Sequence, residues 1–106
     1  MTKKQAIHQA MMTIAEYFEV DADNLAMRIH QRQQIRCPRM QKCLFAITYY
    51  MYHGGISYDS IGRFLGKNND AIRGYESKGR LMMRGDHAAM IASLPKIPSS
   101  LEIVVK

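Results

Sequence analysis

The chain has 106 residues, with 15 Lys and Arg against nine Asp and Glu, which gives a formal net charge of +6 at pH 7. Apolar residues make up 47% of it, enough for one core without disulfide or metal staples and too many for a disordered chain. There is no room for a nucleotide-hydrolysing domain beside a second domain, no apolar run approaches the ~18 residues of a membrane span, and the basic start Met1-Thr2-Lys3-Lys4-Gln5 leads into no apolar signal core before His8 and Gln9. The positive surplus directs attention to an acidic partner, nucleic acid before an anionic membrane.

Residues 3–18 read as a first helix, with Ile7, Ala10, Met11, Ile14 and Phe18 on one face. Asp21-Ala22-Asp23-Asn24 starts a short second helix through about Arg28, with Leu25 and Ile29 as its apolar contacts. Residues 30–37 are polar and basic with one apolar anchor, Ile35, and read as a loop. Pro38 suits the first position of a third helix, where its missing N–H would be unpaired anyway. That helix has the clearest period in the chain (Met40, Cys43, Leu44, Ile47, Tyr50, Met51), and Gly54-Gly55 ends it.

Ser57 caps a short helix through Leu65, with Ile61 and Phe64/Leu65 facing inward, and Gly66 breaks it. Asn68 or Asn69 caps the next helix, which runs to about Arg84 with Ile72, Tyr75 and Met82 buried. Gly74 and Gly79 each weaken it by about 1 kcal/mol relative to Ala, so its second half is expected to bend or fray. Asp86 caps a last helix through Leu94, and Pro95 stops it. The expected fold is all-α: a small helical domain over residues 1–95, with five to six helices including a helix-turn-helix, and a short non-helical tail over 96–106.

Cys37 and Cys43 lie on helix faces about 120° apart if one helix carries both, so they are expected to be free thiols of a reducing cytoplasm. His8, His30, His53 and His87 have no ligand spacing, and neither a metal nor another cofactor is expected. Met11, Met12, Met82 and Met83 sit within helical patterns and read as core filling. No Ser/His/Asp or Cys/His set has catalytic spacing, so an enzyme is not expected.

The segment from Ser57 to Arg73 is a short helix, a glycine turn and a second helix, the plan of a helix-turn-helix whose second helix enters the major groove N-terminus first. Gly66 supplies the turn, and Ile61 and Ile72 lock the helices. Lys67, Asn68, Asn69, Asp70 and Arg73 are polar and reach outward, where Asn pairs with adenine and Arg or Lys with guanine. Basic charge gathers on both sides of this unit. Arg28, Arg32, Arg36, Arg39 and Lys42 occur with no acidic residue among them. Arg63, Lys67, Arg73, Lys78, Arg80 and Arg84 stand against Asp70 and Glu76 alone. Such a distribution fits a phosphate-tracking surface.

Over about Thr13 to Ser77 the sequence resembles the C-terminal DNA-binding domain of DnaA, the bacterial replication initiator. Ile14-Ala15-Glu16-Tyr17-Phe18 is similar to the family's opening Val-Ala-Glu-Tyr-Tyr helix, with Val20 and Leu25 on its next apolar positions. Arg36-Cys37-Pro38-Arg39 is similar to its Arg-Pro-Arg, and Ile61-Gly62-Arg63 to its Ile-Gly-Arg/Lys. Gly66-Lys67-Asn68-Asn69-Asp70-Ala71-Ile72 lies over its Gly-Arg-Asp-His-Ser/Thr-Thr-Val signature. The resemblance implies a fold akin to the tryptophan repressor, with the basic loop at the minor groove and backbone and the signature helix in the major groove.

It carries over Arg39, Lys67, Asn68, Asn69, Asp70 and Ala71 as DNA-contacting positions, with Arg32 in the basic loop. The family's His and hydroxyls are replaced here by Asn69, Asp70 and Ala71, so its usual target sequence is not expected. Asp70 would accept from a cytosine amino group, cap the helix, or repel phosphate. The initiator's ATPase is not expected, because no Gly-x-x-x-x-Gly-Lys-Ser/Thr loop is present.

The function expected is sequence-specific binding of double-stranded DNA in transcriptional or replication control of a phage or mobile element, in the cytoplasm. Lys67, Asn68, Asn69 and Asp70 would address bases, and Arg32, Arg36, Arg39 and Arg73 would hold phosphates. The alternative is a helix-turn-helix protein-interaction module that has lost DNA binding, using an exposed Tyr49, Tyr50, Tyr52 and Tyr58 cluster and the Leu101–Val105 tail. A homodimer would form through the same tail or tyrosines.

Overall fold

The structure is a computed structural model that describes residues 2–85 and 87–98. The described residues form six helices and no strand: α1 (Lys3–Tyr17), α2 (Ala22–His30), α3 (Pro38–His53), α4 (Tyr58–Leu65), α5 (Asn69–Met82) and α6 (Ala88–Ala92). The all-α expectation holds. No described helix is long and apolar enough to cross a membrane. The expected Asp86 cap and the Leu101–Val105 segment lie outside the described residues.

α1, α2, α4 and α5 start where a side chain takes up a free N–H group of the first turn. Thr2 and Gln5 form a reciprocal capping box on α1, at 2.8 and 3.1 Å. Asp21 caps α2, and Ser57 accepts from the Ser60 N–H at 3.2 Å on α4. Asn68, rather than Asn69, caps α5 by accepting from the Ala71 N–H at 2.9 Å. Pro38 occupies the first turn of α3 as expected.

The first four helices also end alike. In each, one residue turns into the left-handed region, and the N–H of the next residue reaches back five positions: Val20 to Ala15, Gln33 to Arg28, Ile56 to Met51 and Lys67 to Gly62. At Gly55 and Gly66 the turning residue is glycine. At Glu19 (φ 59°) and Arg32 (φ 55°) it carries a side chain, which costs about 1 kcal/mol at each site.

α3 is the central helix. It packs most extensively on α5 and next on α1, while α4 bridges α2, α3 and α5. Ile47 of α3 and Ile14, Leu25, Ile61 and Ile72 of the other helices are fully enclosed in one core, each contributing about 1.5–3 kcal/mol by leaving water. The Tyr50 hydroxyl of α3 lies within donating reach of two carbonyls, that of Ala6 at 3.4 Å and that of Pro95, tying the segment after α6 to α3 and α1. Packing therefore continues past Pro95, and Ile97 is buried.

Several sequence expectations need correction. Phe64 does not face inward: it is 41% exposed, because on the short α4 Ile61 and Leu65 already fill the inner face. Met12 is 50% exposed, one position off the inward stripe that Met11 occupies. Of the expected exposed tyrosine cluster, Tyr50 is buried, Tyr49 and Tyr58 are half-buried, and Tyr52 alone is exposed. α5 is continuous through Gly79, which is buried. A Cβ there would lie 2.5 Å from the Phe45 carbonyl oxygen and 2.7 Å from Tyr49 Cβ on α3. The glycine expected to weaken α5 is what lets it touch α3.

Candidate nucleic-acid interface

The turn between α4 and α5 is built from the main chain outward. Gly66 adopts φ +70°, a region closed to most side chains, and the Arg32 side chain lies where a Cβ of residue 66 would be. The basic loop after α2 is thus laid directly over the turn. Arg32 gets there because it is itself the left-handed residue that ends α2.

A shallow depression results, open to solvent. Its cations are Arg32, Arg63 and Lys67, its floor includes Gly62 and Gly66, and Asp59 and Asn69 complete it. Three cations and one carboxylate therefore line it. Asp59 is engaged: it accepts from Asn69 Nδ2 at 2.8 Å. This bond bridges the first turn of α4 to the first turn of α5 and fixes the Asn69 amide.

The remaining expected positions lie around this depression. Asn68 spends its side-chain oxygen on the helix cap. Asp70 is exposed in the first turn of α5 and does not cap it; a carboxylate there is favoured by the helix dipole. Ala71 is half-buried. Arg73 is exposed, with its guanidinium 5.8 Å from the centre of the Tyr58 ring. Tyr58 in turn stacks on Tyr52, centroids 4.3 Å apart and planes within 3°. Arg39 sits beyond the loop in an exposed pair with Glu19 at 3.6 Å, worth little in water and easily exchanged. Arg36 is exposed and reaches Gln34 at 3.3 Å.

The structure thus brings Arg32, Lys67 and Asn69 into one recess, with Asn68 capping α5 and Asp70, Ala71 and Arg73 following along it. Arg36 and Arg39 line the approach to α3 and do not enter the recess. Sequence reasoning missed Asp59, and it counted Arg63 in the basic set and Tyr58 in the protein-contact cluster without placing either beside this recess. Asp59 and Arg63 are four apart on one helix and so share a face, a signal that was present. The ten-residue link from Asp59 to Asn69 has no local signature.

A second polar group lies further along α5. Glu76 is 1% exposed. Its carboxylate receives Arg80 Nε at 3.1 Å and Arg80 Nη2 at 2.5 Å, and His53 Nε2 lies 3.2 Å away. Burial by itself pushes the Glu76 carboxyl up, but Arg80 and His53 outweigh it and hold it below the usual glutamate value. The ion is anchoring rather than presented, since it faces α3.

The two cysteines are free, as expected. Cys43 is buried, which pushes its thiol up to about 12. Cys37 is exposed at the start of α3, where the Met40 and Arg39 backbone N–H groups lower its thiol. Among the described residues no group of three His, Cys, Asp or Glu could hold a metal.

No protein family, curated protein or solved structure matches the chain. Any reading of function therefore rests on the geometry above and on the residues that form it.

Proposed function

We propose that the chain binds double-stranded DNA in a sequence-dependent way through α4, the Gly66 turn and α5, acting as a helix-turn-helix in the manner of the DnaA C-terminal domain that its sequence resembles. The observation that carries this reading is the placing of Arg32 over the Gly66 turn, beside Arg63 and Lys67 and at the N-terminal end of α5. A cationic recess at the start of an exposed helix suits a phosphate flanking the major groove. α5 would enter the groove with Lys67 and Asn69 leading and Asp70 one position behind. Arg73, Arg36 and Arg39 would hold backbone phosphates on either side. Control of transcription or replication in a phage or mobile element is the role this module would serve.

Arg32 offers a test that a merely structural residue would fail. Glycine fits its left-handed conformation better, so Arg32→Gly should leave stability unchanged or raise it by up to about 1 kcal/mol. The same change should weaken binding to duplexes selected from a random pool and lower the salt dependence by about one phosphate contact. Thermal melts and gel-shift titrations at several salt concentrations read the two effects separately. A variant that is destabilised but binds undiminished would sink the assignment.

The bond from Asp59 to Asn69 favours a second reading, a helix-turn-helix module that contacts protein instead. In that case random-pool selection would enrich no motif.

A further inference from the structure

A second recess shares no residue with the depression around Arg32. It is a groove of about 530 Å³ formed by α1, α2 and Phe64 of α4. Ile7, Met11, Ile29 and Phe64 make it apolar, and Ala26 lies along it. Lys3 and Lys4 supply its charge, with His8 and His30 beside them, and none of its described lining residues is acidic.

The lining is unfinished as a core. Phe64 is 41% exposed within it, although the same helix buries Ile61 and Leu65. Met12, one helical turn beyond His8 on α1, is 50% exposed and continues the apolar surface along that helix. The lining positions 3, 4, 7, 8 and 11 follow successive turns of α1, a spacing that the side chains of a helix laid alongside can match.

We propose that this groove docks an acidic amphipathic helix of a partner protein. One apolar side chain of the partner would enter the recess against Phe64, and another, a turn away, would cover Met12. Its carboxylates would face Lys3 and Lys4, the complement of a rim with positive charge only. Phe64 and the methionines adapt to such a partner without demanding one shape. The inference is independent of DNA binding and uses none of the residues assigned to it.

A fluorescein-labelled synthetic helical peptide of about 14 residues, with leucines at i, i+4 and i+7 and glutamates on the flanks, tests it by anisotropy. The peptide should bind with a Kd of about 10–100 µM at low salt. A counterpart with lysine flanks should bind at least about tenfold more weakly. Ala26→Trp plugs the groove from an exposed position and should weaken binding about tenfold or more. The double variant Lys3→Glu, Lys4→Glu should reverse the preference toward the lysine peptide, and circular dichroism confirms that each variant is folded. If Ala26→Trp is unfolded, the double variant carries the test alone. Equal binding of both peptides to the native chain overturns the proposal. So does saturable binding of sodium dodecanoate with no binding of the acidic peptide, which would assign the groove to a small amphiphile.

Discussion

The two ends of α5 are built on opposite principles. The outer face of its first turns, Asn69, Asp70 and Arg73, is exposed and polar, held by an Asn68 cap and one bond to Asp59. Its last turns are locked into α3 by a buried ion and a glycine with no room for a methyl group. The difference shows how a small domain can present a helix tip to a partner. Rigidity comes from the far end, and at the near end Ile72 packs inward while the outer face stays free. Exposed Arg73 lies between buried Ile72 and buried Glu76, so face rather than distance divides them: one helix turns a side outward and a side inward within a single turn.

Gly79→Val attacks the locked end and has the largest expected effect. Its branches would meet the Phe45 carbonyl and Tyr49 Cβ, both on the most heavily packed helix pair. Backbone cannot rotate aside, so α5 must shift off α3, at a cost of about 2–4 kcal/mol. A chemical denaturation series measures this. If stability changes by less than a tenth of that range, the close approach of α3 and α5 is wrong.

Glu76→Gln is milder and gives the comparison a pH signature. Its amide retains shape but loses charge toward Arg80 and His53, costing about 1–2 kcal/mol at neutral pH. The native carboxyl is held below the ordinary value of about 4.3 that it takes when unfolded. Its stabilisation is therefore complete above that ordinary value and is lost as pH falls through the lowered one. Melting temperatures of the native chain should drop across this acid window more steeply than those of Glu76→Gln. Parallel curves for the two proteins would show that the buried ion contributes nothing.

Much of the helical frame was legible because its signals are local. Asp21, Ser57 and Asn68 cap, Pro38 starts α3, and the stripe from Met40 to Met51 faces inward, all from spacings within a few residues. Where the deciding contact is distant, the sequence misled. Gly79 looked like a flaw because its partner, Phe45, lies on another helix. Glu76 looked like a surface charge diluting a basic run, because nothing local reveals that His53 faces it. Glu19 and Arg32 end helices in a conformation that normally advertises itself as glycine. At the candidate site, Lys67 and Asn69 were found by motif, whereas the laying of Arg32 on Gly66 depends on how α2 ends, which no spacing encodes.

Asn68 gives the smallest effect and the finest distinction, because it stands at the free end where capping and reading compete for one side chain. Asn68→Ala should cost about 1 kcal/mol, and hydrogen exchange should quicken at Ala71 to Arg73 while Glu76 to Arg80 keep their protection. Asn68→Ser restores a good cap without restoring an amide. If Asn68 acts only by holding the first turn, the serine variant should recover both stability and the native preference among selected duplexes. If the amide also reads a base, stability returns but the preference at one base pair relaxes, by about 1–3 kcal/mol in discrimination. Loss of exchange protection along the whole of α5 in the alanine variant would mean that the tip and the anchor are one cooperative unit, and the division between them would fall.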